Sequence, residues 1–206
     1  MQLIGMLDSP YVRRAAVSLQ LLGVPFTHRS LSVFRGFEEF RTINPVVKAP
    51  TLVCDDGTVL VDSGLIIDYA QALAGRSLAP REPAALRRVL RITGLALAVA
   101  EKSVQIYYEC ELRPPAARHA PWMERVSAQL HAACVALEAE LARPPSPTDR
   151  AGVVTAVAWR FSRGVVPDAI AALDCPRLDA FSAAAEALPE YRAAPFGDGT
   201  YPVAGA

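Results

Sequence analysis

Hydrophobic periodicity changes character once along this chain, and that change constrains the fold more than any single motif. Up to about residue 74, short apolar runs separated by turn residues alternate with helical stripes; beyond Pro83 every periodic segment repeats at helical spacing. Between the two, Gly75 to Pro83 holds glycine, serine, two prolines and alternating charge, the composition of a linker between packed units. The alanines divide the same way, 7 of 36 in residues 1–80 and 29 beyond, while acidic and basic residues balance on both sides. The difference between the halves is therefore structural and not electrostatic. With 206 residues, the chain is long enough for two small cores.

In the first half, Gln2 to Leu7 reads as a strand. Ser9-Pro10 then opens a helix with Val12, Ala15, Ala16, Leu19 and Leu22 on one stripe, stopped by Gly23 and Pro25. Phe26 to Leu31, Thr51 to Cys54 and Val59 to Val61 suit strands, the last two joined through Asp55-Asp56-Gly57. Ser63 to Leu73 places Leu65, Ile66, Tyr69, Ala70 and Leu73 on one helical face. The order is β-α-β, an irregular stretch, then β-β-α. In the second half, helices are expected over Ala84 to about Leu112, Pro121 to Leu141, Asp149 to Arg163 and Pro176 to Leu188.

Composition excludes several function classes. With 21 basic and 21 acidic residues there is no net charge to hold a phosphate backbone, so nucleic acid is not an expected partner. Met1 to Asp8 lacks a basic leader segment, and no apolar run approaches the roughly 18 residues of a membrane span. A soluble, cytoplasmic protein with no membrane partner is expected. Cys54, Cys110, Cys134 and Cys175 form no C-x-x-C pair, and His28, His119 and His131 lie at no ligand spacing. No metal is expected.

The chemistry concentrates at three places in the first half. Ser9 precedes Pro10 where a strand gives way to a helix, so its hydroxyl sits at a helix N-terminus. There the macrodipole favours an anion, including a thiolate, although on the tripeptide alone a plain helix cap is the favoured reading. Pro50 directly precedes a β-branched strand, and a cis Ala49–Pro50 bond would turn the Ala49 backbone outward as an unpaired edge able to pair with an extended peptide. Asp62-Ser63 opens the next helix. Asp62 suits a ligand amine and Ser63 a ligand carboxylate, or the pair simply starts the helix.

Taken in order, Ser9-Pro10-Tyr11, Asn44-Pro45-x-x-Lys48-x-Pro50, Asp62-Ser63, a proline-bearing linker and an all-helical half, the chain resembles the glutathione S-transferase superfamily along essentially its whole length. Within it the likeness is greatest to bacterial members with serine at the helix start; omega-type and glutaredoxin-like relatives carry cysteine at the position of Ser9, so dithiol exchange is disfavoured. The resemblance implies a thioredoxin-like α/β domain (βαβ-α-ββα) over residues 1–76 that binds glutathione, and an all-α domain over 84–206 that covers a small hydrophobic electrophile. It implies that Ser9 contacts the thiol, that the Ala49 backbone pairs with the cysteinyl part, that Pro50 is cis and that Asp62 with Ser63 holds the γ-glutamyl end. Lys48 is placed against the glycyl carboxylate, and Tyr107, Tyr108 and Arg113 in the co-substrate pocket. A homodimer is implied as well. Conjugation is the expected activity; glutathione-dependent peroxide reduction, dehalogenation or a non-catalytic binding role on the same fold are the alternatives.

Two departures stand out. Val47 occupies the glycine position of the family's Asn-Pro-x-Gly-x-x-Pro, and because a β-branched residue resists positive φ, the loop is expected to differ there. Ser146-Pro-Thr-Asp149 reads as a capping box, yet alignment on Ala156 to Phe161 puts Gly152 where the family's capping aspartate lies. Either Ser146 caps a helix that starts early, or Asp149 caps one whose third position has lost its acidic partner. Trp159 and Phe161 are expected in the core, and His28 as a structural residue.

Overall fold

The computed structural model describes residues 1–197. Two compact units emerge, one from Met1 to Leu78 joined by the segment from Leu188 onward, the other from Ala79 to Ala187. The return of the final segment to the first unit departs from the expected assignment of all of 84–206 to the helical domain, of which 198–206 lie outside the described residues. Arg13 accounts for the return. It is 1% exposed near the start of a helix, donates from Nε to the Ala194 carbonyl at 2.7 Å and from Nη2 to that of Tyr191 at 3.4 Å, and lies 5.9 Å from the Tyr191 ring centroid.

The first unit runs β1 (Gln2–Ile4), α1 (Pro10–Leu22), β2 (Thr27–Arg29), α2 (Phe37–Ile43), β3 (Thr51–Val53), β4 (Val59–Val61) and α3 (Ser63–Ala74). The strands order as β2-β1-β3-β4, with β1 and β2 parallel and the other pairs antiparallel. This is the expected βαβ-α-ββα arrangement, with the short helix α2 in the stretch that lacks periodicity. β1 stops at Ile4 although Met6 and Leu7 are apolar, because Gly5 takes φ 135°. Helices α1 and α3 pack together, burying Val12, Ala15, Ala16 and Leu19 with Ile66, Ile67 and Ala70.

The expected single apolar face of α3 divides in the structure. Ile66 and Ala70 face the core with Ile67, whereas Leu65, Tyr69 and Leu73 are exposed by 62%, 37% and 51%. The helix is apolar on most sides, so periodicity alone could not select the face that meets the sheet.

The second unit contains α4 (Pro83–Glu111), a 3-10 turn (Pro115–Ala117), α5 (Ala120–Glu140), α6 (Arg150–Val165), α7 (Pro167–Ile170) and α8 (Pro176–Glu186); α9 (Pro189–Arg192) belongs to the returning segment. α6 is the central helix, packed on α4 and α8 and buried from Ala151 to Trp159. Trp159 and Phe161 are core residues as expected, and the Trp159 indole N–H donates to Asp179 at 2.8 Å. Glu138, itself buried, accepts the Arg177 and Leu178 N–H groups at the start of α8 at 3.0 and 2.9 Å. Among the described residues no helix is long and apolar enough to cross a membrane.

The two registers at the start of α6 resolve in favour of Asp149. Its Oδ1 accepts the Gly152 N–H at 2.7 Å while Oδ2 accepts the Ser146 N–H at 3.1 Å, so one carboxylate both caps the helix and pins the preceding turn. Gly152 replaces an acidic partner for a steric reason: a Cβ there would lie 1.9 Å from the Ser146 carbonyl oxygen.

Candidate functional site

The sheet register collects the three candidate segments at one end. Ile4 of β1, Thr51 of β3 and Val61 of β4 are consecutive partners across the sheet. The segment after β1 leads to Ser9, the one before β3 holds Lys48, Ala49 and Pro50, and the one after β4 begins with Asp62 and Ser63. All lie beyond that same edge of the register.

Ser9 is half-buried and caps α1, its Oγ accepting the Val12 N–H at 3.4 Å. That bond is long, and no acceptor among the described residues takes the hydroxyl proton, which leaves Ser9 able to donate.

The Ala49–Pro50 peptide is cis, as expected. Neither the N–H nor the C=O of Ala49 has a hydrogen-bond partner among the described residues, so the loop presents an open backbone edge just before β3. Its support is Asn44, 3% exposed. Its Oδ1 accepts the Val46 N–H at 3.0 Å, and its Nδ2 donates to Thr51 Oγ1 at 2.9 Å and to the Lys48 carbonyl at 3.4 Å. Thr51 Oγ1 donates to the same carbonyl at 2.7 Å. Gly5 brings this loop against α1: a Cβ on it would lie 2.6 Å from Val12 Cγ2 and 3.0 Å from Ala49 Cβ.

The expectation that the loop differs at Val47 is overturned. Val47 adopts φ 50°, in the left-handed region, held there by the Asn44 and Thr51 hydrogen bonds and by its own N–H bond to the Asn44 carbonyl at 2.9 Å. For a β-branched residue this costs about 1–2 kcal/mol. Val47→Gly should therefore raise stability by up to about 1 kcal/mol, the relief exceeding the greater chain entropy of glycine. The urea midpoint reads it, and a lowered midpoint would show that Val47 carries no strain. Lys48, next in sequence, is exposed.

Asp62 also has positive φ, 76°, and caps α3 through Oδ1, which accepts the Gly64 and Leu65 N–H groups at 2.8 and 3.3 Å. Ser63 is 2% exposed; its Oγ accepts a hydrogen bond from Arg14 Nη1 at 3.3 Å.

The fold of this unit agrees with the comparisons. Residues 3–78 match the family described as glutathione S-transferase, N-terminal domain. The chain is 26% identical over 173 residues, 81% of its length and 85% of the other's, to an uncharacterized GST-like protein, YibF, of Escherichia coli. A glutathione transferase family member from Pseudomonas fluorescens Pf-5, crystallised with bound glutathione, superposes with a TM-score of 0.80 at 29% identity over 94% of this chain and 97% of that one. The first unit carries the glutathione S-transferase N-terminal domain, and the chain as a whole shares the fold of these transferases. A glutathione S-transferase from Methylobacterium radiotolerans aligns with a TM-score of 0.84 over 94% of this chain and 93% of its own; at 21% identity the likeness speaks for the fold.

The residues expected at the co-substrate pocket, Tyr107, Tyr108 and Arg113, lie on the second unit. Tyr107 is half-buried and Tyr108 exposed near the end of α4, with ring centroids 6.1 Å apart. Arg113 is exposed, but its Nε pairs with Glu109 at 3.1 Å, and the buried Glu109 also accepts the His119 N–H at 3.0 Å. Arg113 therefore helps close the end of α4. His28 is structural as expected, its Nε2 bonded to the Gly5 carbonyl at 2.7 Å. Burial pushes the Cys134 thiol up to about 12 and Cys175 to about 11, so neither offers a thiolate at neutral pH. Among the described residues no cluster of three or more His, Cys, Asp or Glu could hold a metal.

Sequence reasoning missed Gly5 and Arg14, and it named Asn44 and Thr51 only as part of a motif and as a strand start, without the hydrogen bonds by which they shape the loop. The one local signal was a pair of arginines, Arg13 and Arg14, set inside the apolar stripe of α1.

Proposed function

We propose that this protein is a glutathione transferase that joins the glutathione thiolate to a small hydrophobic electrophile. The observation that carries the reading is the open Ala49 backbone edge, lying beyond the same end of the sheet as the Ser9 hydroxyl and the Asp62-Ser63 helix start. The edge suits the cysteinyl part of the tripeptide. Ser63 suits the γ-glutamyl carboxylate, Asp62 its amine, and Lys48 the glycyl carboxylate. Glutathione, when bound, supplies the nucleophilic sulfur. The chain's part is to orient it and to favour its thiolate: Ser9 Oγ–H donates, and the N-terminal end of α1 adds the positive end of its dipole. Tyr107, Tyr108 and Arg113 are proposed as electrophile-binding residues on the helical unit. The exposed apolar stripe Leu65, Tyr69 and Leu73 supports a homodimer, in which a second copy covers it; sedimentation equilibrium giving a monomer at micromolar concentration would remove that part.

The test is Ser9→Ala, assayed with a chloronitrobenzene electrophile. The long cap bond limits the stability loss to about 0.5 kcal/mol, the low end for cap removal. Glutathione should still bind, while the pH–rate profile moves to higher pH because the bound thiol loses a donor to its anion. Activity at neutral pH falls and recovers under alkaline conditions. An unshifted profile would leave Ser9 as a cap alone, and failure of the wild type to bind glutathione would overturn the reading as a whole.

A further inference from the structure

Arg13 and Arg14 are consecutive, both nearly buried, and their guanidinium groups have different work. Arg13 holds the returning segment through Ala194 and Tyr191. Arg14, 4% exposed on α1, reaches across 49 residues of sequence to Ser63 on α3 and donates to its hydroxyl oxygen. We infer that Arg14 is the positioning residue for recognition of the γ-glutamyl carboxylate, acting through Ser63; the inference rests on the glutathione reading above.

A hydroxyl has one proton to donate and two lone pairs to accept with. With a lone pair of Oγ engaged by a cationic donor, Ser63 cannot turn that lone pair outward, and its O–H proton points away from the guanidinium. Ser63 is also the first residue of α3, and its backbone N–H has no acceptor among the described residues, since Asp62 takes the next two N–H groups for itself. Two donors on one buried residue, the hydroxyl and the amide, are left for a ligand. Such a pair fits a carboxylate, and the dipole of α3 favours the same charge. Without Arg14 the Ser63 hydroxyl would be free to rotate and to accept rather than donate. The backbone N–H would remain, so discrimination would weaken without the site collapsing.

The experiment compares glutathione with its analogue lacking only the γ-glutamyl α-carboxylate, 4-aminobutanoyl-cysteinyl-glycine, by calorimetric titration. The wild type is expected to prefer glutathione by more than tenfold. Arg14→Met should lose about tenfold in glutathione affinity, the scale of one hydrogen bond to a charged group, with the analogue unchanged within about twofold. Arg14→Lys, which keeps a cationic donor, should retain most of the preference. Ser63→Ala should match Arg14→Met, and the double variant should be no worse than Ser63→Ala, because the two act as one unit. Should Arg14→Met fail to fold, Arg14→Gln carries the same comparison. Equal weakening of both ligands would make Arg14 structural, and an unchanged preference would remove it; either result overturns the inference while the glutathione reading stands. A wild type that binds neither ligand overturns both.

Discussion

Gly152→Ala is expected to destabilise the helical unit by about 3–5 kcal/mol, although alanine is the better helix former. In an unconstrained helix interior the exchange gains about 0.5–1 kcal/mol. At the third position of α6 the added Cβ would stand 1.9 Å from the Ser146 carbonyl oxygen, 2.7 Å from its carbon and 2.8 Å from Pro147 Cα. All three are backbone atoms, so no side-chain rotation relieves the contact. The turn must move by more than an ångström, and in moving it gives up the Ser146 N–H bond to Asp149 and the Asp149 N–H bond to the Ser146 carbonyl. The bonds lost are worth about 0.5–1.5 kcal/mol each, and overpacking adds about 1–3 kcal/mol. Gly94 supplies the control. It lies inside α4, and a Cβ added there would meet nothing within 4 Å, so Gly94→Ala should stabilise the protein by about 0.5–1 kcal/mol. Urea midpoints that shift in the same direction for both variants would refute the steric account.

That pair shows what sequence can carry. Gly94 and Gly152 are alike to any local rule, and their difference lies in a turn six residues upstream of one of them. Ser9, Pro50 and Asp62 were legible because each announces itself locally: a cap before proline, a proline before a β-branched strand, an acid before a helix. Arg14 and Arg13 were not, since their partners stand 49 and 181 residues away. α2 escaped for the opposite reason, being seven residues with only Phe40 buried, too short to show a period. Val47 was read correctly as a poor residue for a left-handed turn; what sequence could not weigh was the hydrogen-bonded frame of Asn44 and Thr51 that imposes the turn regardless.

Gly5→Ala should lower stability by about 2–4 kcal/mol and, separately, weaken glutathione binding by tenfold or more. The stability loss has two sources: φ 135° is a conformation that an L side chain rarely adopts, and the new Cβ meets Val12 Cγ2 at 2.6 Å. The binding loss has a third, because the same Cβ stands 3.0 Å from Ala49 Cβ, and pressure there displaces the open backbone edge on which the tripeptide is proposed to pair. A second substitution separates these effects. Val12→Ala in the Gly5→Ala background removes the contact with α1, so part of the stability should return beyond what two independent changes would give. Ala49 is untouched by that change and still crowded, so glutathione affinity should stay low. Recovery of affinity together with stability would mean that Gly5 serves only the packing of α1 and that the position of the Ala49 edge does not depend on it.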